Sequence, residues 1–547
     1  MNRLIIIFLF LFWIDSSYSQ VFVRDFQFTT EKARRDFLLD QDVFLKGLRP
    51  KSSIGREHVT AIRLTSASKI EIQALPLYLI SRYASDRPYG WSDFGLVPGV
   101  GGQQYASTGL DVKWKFLKVS IQPEFVFSQN TPFDGFGEGV PQGAILDRYF
   151  LWNFGDYPER FGDGAATRFW WGQSSFTASY GAFEAGISTG NVWWGPGQFN
   201  SLSFSNNSEG FPKLSINTTK PAKTFLGDIE TALIFGMLRS SNLEAAQNQE
   251  LNNRYFQSLP TDWRYLNALM FDYSPKWVDG LHLGFVRTFQ VYNNRRGNTL
   301  YDWLPVVEGF QKKNFFQNGN TVDFDANGRS QQLILFGKYA FKKAKGEIYF
   351  ELGRRDHAFN WREYILNPEH ARAYLFGFLK LVSLPKANRY LQLRGEITHQ
   401  QESINRIVRY ENLGGFLSWQ MHGQARGFTN RGQGLGVGIG QGANVQTLEV
   451  AVVEGWNKMG IQLERLENDQ GFYYRSFYLP SEYKPWIDYS VGFLYDKQFG
   501  SLLLSSKLQV IHARNYQWQL DPLSTPEFPR GRNLTSVLGQ VSAVYFW

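Results

Sequence analysis

A chain of 547 residues with no Cys carries no disulfide, zinc–thiolate site or thiol nucleophile. Aromatic residues make up 17% of it (47 Phe, 27 Tyr, 17 Trp), yet the mean hydropathy is −0.32, and beyond the N-terminus no stretch is apolar enough for a transmembrane helix. The formal net charge of +8 hints at anionic partners such as lipopolysaccharide or acidic glycans. The first element is a secretory signal over residues 1–19. Arg3 supplies the positive start, Leu4 to Ile14 an apolar run too short to span a bilayer, and Ser17-Tyr18-Ser19 a small-x-small cleavage site. Export places the mature chain, from Gln20, away from nucleic acid.

Residues 20–68 read as a short periplasmic segment. Thr29-Thr30 cap a helix through Glu31–Leu39, with Phe37 and Leu38 as its apolar patch, and Pro50, Ser52 and Ser53 then break it. It is expected to pack under a larger domain and is too small to plug one as a globular unit.

From residue 69 to 547 the period is two. Ile229, Leu233, Phe235 and Met237 oppose Asp228 and Glu230, and Ile348, Phe350 and Leu352 alternate with Glu347, Tyr349 and Glu351. Leu391, Leu393 and Ile397 alternate with Gln392, Arg394 and Glu396, and Leu502, Leu504, Leu508 and Val510 with Ser505, Lys507 and Gln509. Short turns, among them Leu117-Lys118, Tyr180-Gly181, Lys342–Gly346 and Lys497–Gly500, alternate with long polar or Gly-rich loops such as 85–103, 129–168, 191–203 and 401–444. Short periplasmic turns and long extracellular loops define a transmembrane antiparallel outer-membrane β-barrel, here of about 18 strands with both ends periplasmic. The chain stops on Val541, Ala543, Tyr545 and Trp547 on one face, a terminal strand of the outer-membrane kind; as a soluble edge it would invite aggregation.

Several motifs carry less than their pattern suggests. Gly186-Ile187-Ser188-Thr189-Gly190 matches the nucleophile elbow, but it closes a strand with no helix after it, and His282, His399 and His512 are partners by position alone. Gly432 to Gly440 lacks the Lys-Ser/Thr ending of a phosphate loop and reads as a flexible loop or as a strand allowing close backbone approach. No metal-ligand spacing occurs among the seven His, and no cofactor is implied. The chain is not read as an enzyme. In the inferred lumen Glu124, Glu230, Glu351, Glu396, Glu449 and Glu464 face Arg355, Arg394 and Lys507, which favours salt-bridged packing over a selective channel.

The most unusual stretch is Asn191-Val192-Trp193-Trp194-Gly195-Pro196-Gly197, continued by Phe199-Asn200-Ser201-Leu202 and Ser205-Asn206-Asn207. Two indoles ahead of a Gly-Pro-Gly turn offer faces for the apolar side of a pyranose ring, and Asn200, Asn206 and Asn207 offer amides for its hydroxyls. A folded-in loop that uses Trp for packing and Asn for turns fits the composition equally well.

These residues resemble the Wzi-type outer-membrane capsule-assembly family in its Bacteroidota form. The resemblance rests on Trp193 to Gly197 with Asn200-Ser201-Leu202 and Ser205-Asn206-Asn207. Arg87-Pro88-Tyr89-Gly90-Trp91, Gln122-Pro123-Glu124-Phe125, Pro158-Glu159-Arg160-Phe161-Gly162 and Trp171 to Ser175 extend it upstream. It implies a barrel of about 18 strands that binds and retains capsular or exopolysaccharide at the cell surface, with Trp193, Trp194, Asn200, Asn206 and Asn207 as ligand contacts. Some members carry a periplasmic helical bundle before the barrel, and this chain has only a short segment there. A porin, a lipid hydrolase, and an accessory barrel of a surface-secretion or motility machine are the rival readings.

Overall fold

The computed structural model describes residues 26–41, 43–45, 47–52, 62–63, 70–137, 139–309, 328–355, 361–366, 369–403, 418–477 and 482–547. The signal segment 1–19 and Gln20 lie outside the described residues. Strand side chains alternate between two faces, and here one face meets lipid and the other the lumen. On the strand Gly346–Arg355, Ile348, Phe350 and Leu352 are exposed on the outer wall, while Glu347, Tyr349 and Glu351 are buried inside. The same division runs through Arg389–His399 and Leu502–Arg514, as their alternation predicts.

Eighteen antiparallel strands close into one barrel. The last, Leu534–Tyr545, pairs with the first, Ile70–Ala84, in a register running from Leu538↔Ala84 to Tyr545↔Leu77. Closure leaves no unpaired edge, the condition for backbone polar groups to sit in hydrocarbon. Two walls are each built from a pair of shorter strands: Leu117–Ile121 with Glu124–Ser128, and Ala166–Trp170 with Ser175–Tyr180. The first short turn falls at Lys115-Phe116, two residues before its expected place, where Lys115 takes a left-handed backbone (φ 54°). One end of the barrel, the turn end, carries these tight connections and both barrel termini; the other, the loop end, carries the long segments.

The N-terminal helix spans Gln27–Leu38. Its N-cap is Phe26, not Thr29 or Thr30: those hydroxyls lie in the first turn and donate back to the carbonyls of Phe26 (2.7 Å) and Gln27 (2.8 Å). The helix sits inside the lumen rather than under the barrel. Phe37 and Leu38 pack on the lumenal side chains Ala340, Leu379, Leu381, Ala451 and Val453. Its charged face meets the wall: Arg34 Nε donates to Glu347 (2.6 Å), and Glu31 pairs with Arg35 (2.6 Å), Lys458 (2.9 Å) and Arg394 (3.0 Å).

Burial alone raises the carboxyl of Glu31, but the charges of Arg394, Lys458 and Arg35 override it and hold it well below the ordinary carboxylate range. A depressed folded-state pKa stabilises the fold above the unfolded value and loses that contribution as pH falls through it. The helix is therefore expected to stay seated at neutral pH and to loosen in strong acid, below the ordinary carboxylate range. Amide hydrogen exchange of 27–38 should accelerate there, ahead of the barrel strands. Exchange that is unchanged down to strong acid contradicts this.

Candidate functional site

Strand Phe183–Ser188 ends, and the chain turns into the lumen instead of rising above it; residues 189–212 cross the interior before the next strand, Lys213–Thr218. Two carboxylates on the wall hold this plug by its backbone. Glu351 accepts from the amides of Gly197 (3.1 Å) and Leu202 (2.7 Å). Glu396 accepts from those of Gln198 (2.7 Å), Phe199 (3.1 Å) and Asn200 (2.8 Å), and from the Tyr349 hydroxyl (3.0 Å). Buried backbone amides almost always have partners, and two wall carboxylates supply them for five amides of this loop, which anchors it. Gly195 (φ 95°) is needed here because a side chain would collide with Glu351.

The five residues expected to contact a ligand are all in this plug, and none is presented at the surface. Trp193 and Trp194 are 2% and 1% exposed, and Asn200, Asn206 and Asn207 are buried with them. Trp194 packs edge-on against Phe204 (4.9 Å between centroids), and the Arg49 guanidinium lies over Trp193 (4.5 Å). The Asn206 carbonyl accepts from Phe94 N (2.8 Å); Asn207 accepts from Ser92 N (3.2 Å) and donates to the Gly434 carbonyl (2.9 Å). Among the described residues the Asn200 side chain has no hydrogen-bond partner. Of the two readings of this loop, the fold provides the folded-in one. A polar lumen buries amides and indoles as readily as a surface displays them, so composition could not separate the two.

Two further segments fold inward against the plug. In 85–100, Tyr89 donates to Glu464 (2.5 Å) and Arg87 pairs with Asp488 (2.9 Å). In 418–443 the Gly run threads beside the plug: a side chain at Gly436 would strike the carbonyls of Ser201, Leu202 and Ser203, and one at Gly438 would strike Asn207 and Trp91. Close backbone approach is thus what those glycines provide. The lumen charges are paired only in part. Arg394 and Glu449 form an ion pair, but Glu351, Glu396 and Glu230 take backbone amides of inserted segments. Glu31, Arg34 and Lys458 are not among the lumen charges read from the sequence, and Glu347 is read there only as an inward residue of its strand. A charged helix usually faces water, and only the matching wall charges reveal that this one does not.

Glu230, Asp272 and His282 come together on three adjacent strands. There Glu230 accepts from Leu48 N (2.8 Å) and Lys338 donates to the Leu48 carbonyl (2.6 Å), tying the N-terminal segment to the wall. Ser188 bonds the Ser174 carbonyl and Gly190 N, while His282 meets Asp272, His399 stacks on Tyr374 and His512 meets Thr535; none of the three partners Ser188.

Over the plug at the loop end lies a lid. The helices Gln142–Gly155, Gln249–Tyr255 and Gln470–Phe477 and the segment 515–533 share an aromatic core that includes Tyr149, Trp152, Phe472, Trp486, Tyr516 and Trp518. Trp486 meets Trp518 edge-to-face at 5.4 Å, and Phe472 meets Trp518 at 4.6 Å. Such pairs favour tilted geometry and add about 0.5–1.5 kcal/mol each beyond area burial, which makes the lid a folded unit.

A closed wall with an apolar exterior, a lumen occupied by the chain's own segments and an ordered lid define an outer-membrane β-barrel with an inserted plug. The chain belongs to the Wzi capsule-assembly family: the family model described as Capsule assembly protein Wzi matches residues 84–493. The structure of Wzi from Escherichia coli, described as an outer membrane protein involved in group 1 capsule assembly and a carbohydrate-binding β-barrel, is similar at a TM-score of 0.56 and 12% identity, covering 96% of this chain and 99% of that one. The outer membrane protein OprD of Pseudomonas aeruginosa (TM-score 0.37, 7% identity, 87% and 93% covered) and OprB of Pseudomonas putida (0.37, 10%, 86% and 93%) are more distant. No curated protein matches the sequence.

Proposed function

We propose that this barrel binds capsular or exopolysaccharide and retains it at the cell surface during capsule assembly. The observation that carries the reading is the plug: five backbone amides on Glu351 and Glu396 hold the loop across the lumen, so the barrel works as a surface and not as a conduit. Family membership supplies the glycan, since the Escherichia coli relative is a carbohydrate-binding barrel. In this reading residues 1–19 direct export, the turn end and both termini are periplasmic, and the lid faces outward. Outer-membrane lipid, lipopolysaccharide included, bathes the wall. The Trp193 to Gly197 and Ser205 to Asn207 motifs assign the chain to the Bacteroidota form of the family. Trp193, Trp194, Asn200, Asn206 and Asn207 serve glycan binding from behind, as braces that fix the plug under the lid.

Deleting the gene should move polysaccharide from the cell-bound to the released pool while total synthesis stays constant, and restoring the gene should reverse the shift. Unchanged partition in the deletion strain would defeat the proposal.

A further inference from the structure

A cavity of about 220 Å³ lies between lid and plug. At about 30 Å³ per water in the liquid it holds several waters or a single sugar ring. Indole and phenol rings of the lid, Trp152, Trp486, Tyr516 and Trp518, line it, with the guanidiniums of Arg148 and Arg87 lying over them. Tyr157, Gln433, Gln441 and Gln517 line it with polar groups, and the partly exposed Pro88, Pro158 and Gly440 mark its mouth. Four sequence stretches that stand out as motifs converge here: Arg87-Pro88, Pro158-Glu159, Asn207 and the Gly432–Gly440 run.

The lining has unspent hydrogen-bonding capacity. Among the described residues, Gln433 Oε1, Gln441 Nε2, Gln517 Oε1, Trp518 Nε1, the Tyr157 hydroxyl, Arg148 Nε and the Nε and Nη2 of Arg87 are buried and have no hydrogen-bond partner. Buried polar groups almost always find partners, and these unmatched atoms all belong to residues that line one cavity. Donors and acceptors are both among them, as sugar hydroxyls require. Gln517 and Trp518 are also held in left-handed backbone (φ 54° and 55°), which non-glycine residues adopt rarely. The arginine charges are already neutralised by nearby carboxylates, and the lining carboxylate Glu159 is held by backbone amides. Arg148 pairs with Asp469, Arg87 with Asp488, and Glu159 accepts from Phe136 N (2.6 Å) and Gln247 N (3.1 Å).

We propose that this cavity is a binding subsite for one neutral pyranose unit, the terminal or branch residue of the retained polysaccharide. The proposal rests on the reading of the chain as a glycan-retaining barrel. The ring packs against the indole and phenol side chains, and its hydroxyls meet the glutamine amides, Tyr157 and the Trp518 N–H. With both arginines neutralised, a uronate would enter without a free counter-charge, which sets the class as neutral.

The test is titration calorimetry on the full-length barrel in detergent. The probe is the oligosaccharide pool from partial acid hydrolysis of polysaccharide shed by the same cells. Tyr157→Phe combined with Gln441→Leu removes two hydrogen-bonding groups and should weaken binding about ten-fold or more. It should leave the melting temperature nearly unchanged, because the Tyr157 hydroxyl and Gln441 Nε2 have no hydrogen-bond partner among the described residues. If the double variant assembles poorly, Trp518→Phe, which keeps a buried ring and removes the N–H, is read in the same way. Equal binding by wild type and variant overturns the subsite while leaving a glycan surface elsewhere on the barrel. No binding by wild type also overturns it, and the polysaccharide partition of the deletion strain then decides separately whether the barrel retains glycan. Competition by an acidic monosaccharide that exceeds competition by a neutral hexose overturns the class assignment.

Discussion

Replacing Glu351 and Glu396 together by alanine is expected to turn a closed barrel into a conducting one. The two carboxylates accept five backbone amides from 197–202. Each buried amide left without a partner costs about 1–3 kcal/mol, so the inserted loop loses on the order of 5–15 kcal/mol at once. That is comparable to the whole stability of an ordinary domain. The barrel wall does not depend on those amides, since its strands bond to one another, so the loop should leave the lumen while the wall stays closed. In planar bilayers the wild-type protein should be electrically quiet and the variant should give discrete, long-lived current steps. The Glu→Gln pair keeps an acceptor oxygen at each position and should conduct far less than the Ala pair. An Ala variant that assembles normally and remains quiet would show that the plug is held by something else.

Truncating Trp193 and Trp194 to alanine should cost assembly before it costs glycan binding. Both indoles are buried, Trp194 against Phe204 and Trp193 beneath Arg49. Removing a buried Trp costs about 3–5 kcal/mol, from lost burial and the cavity left behind. Two neighbouring losses should lower the amount of heat-modifiable barrel, read as the fraction that shifts mobility on boiling before a denaturing gel. Cell-bound polysaccharide should then fall in proportion to barrel abundance. A double variant that assembles and melts like wild type yet releases polysaccharide contradicts the bracing role and makes the indoles ligand contacts.

The wall of this barrel is legible in the sequence because lipid and lumen impose opposite demands on alternate residues. Ile348, Phe350 and Leu352 against Glu347, Tyr349 and Glu351 leave one solution. What fills the lumen is harder to read, because a polar interior relaxes that contrast. Trp193 and Asn207 look alike whether they face water, a sugar or Glu-lined wall, and only the backbone amides seated on Glu351 and Glu396 decide. The helix Gln27–Leu38 is legible as a helix, but its place inside the barrel depends on Glu347, Arg394 and Lys458, far along the chain. The lid is hidden for a different reason. Its helix Gln142–Gly155 lies within a stretch that reads as loop, although Ala144, Ile145, Tyr149 and Trp152 mark one apolar face.

Adding labelled capsular polysaccharide to cells blocked in its synthesis shows directly whether this barrel captures glycan at the surface. Cells carrying the wild-type barrel should bind the added polymer in a saturable way, and isogenic cells lacking it should not. Equal binding by the two would contradict the account.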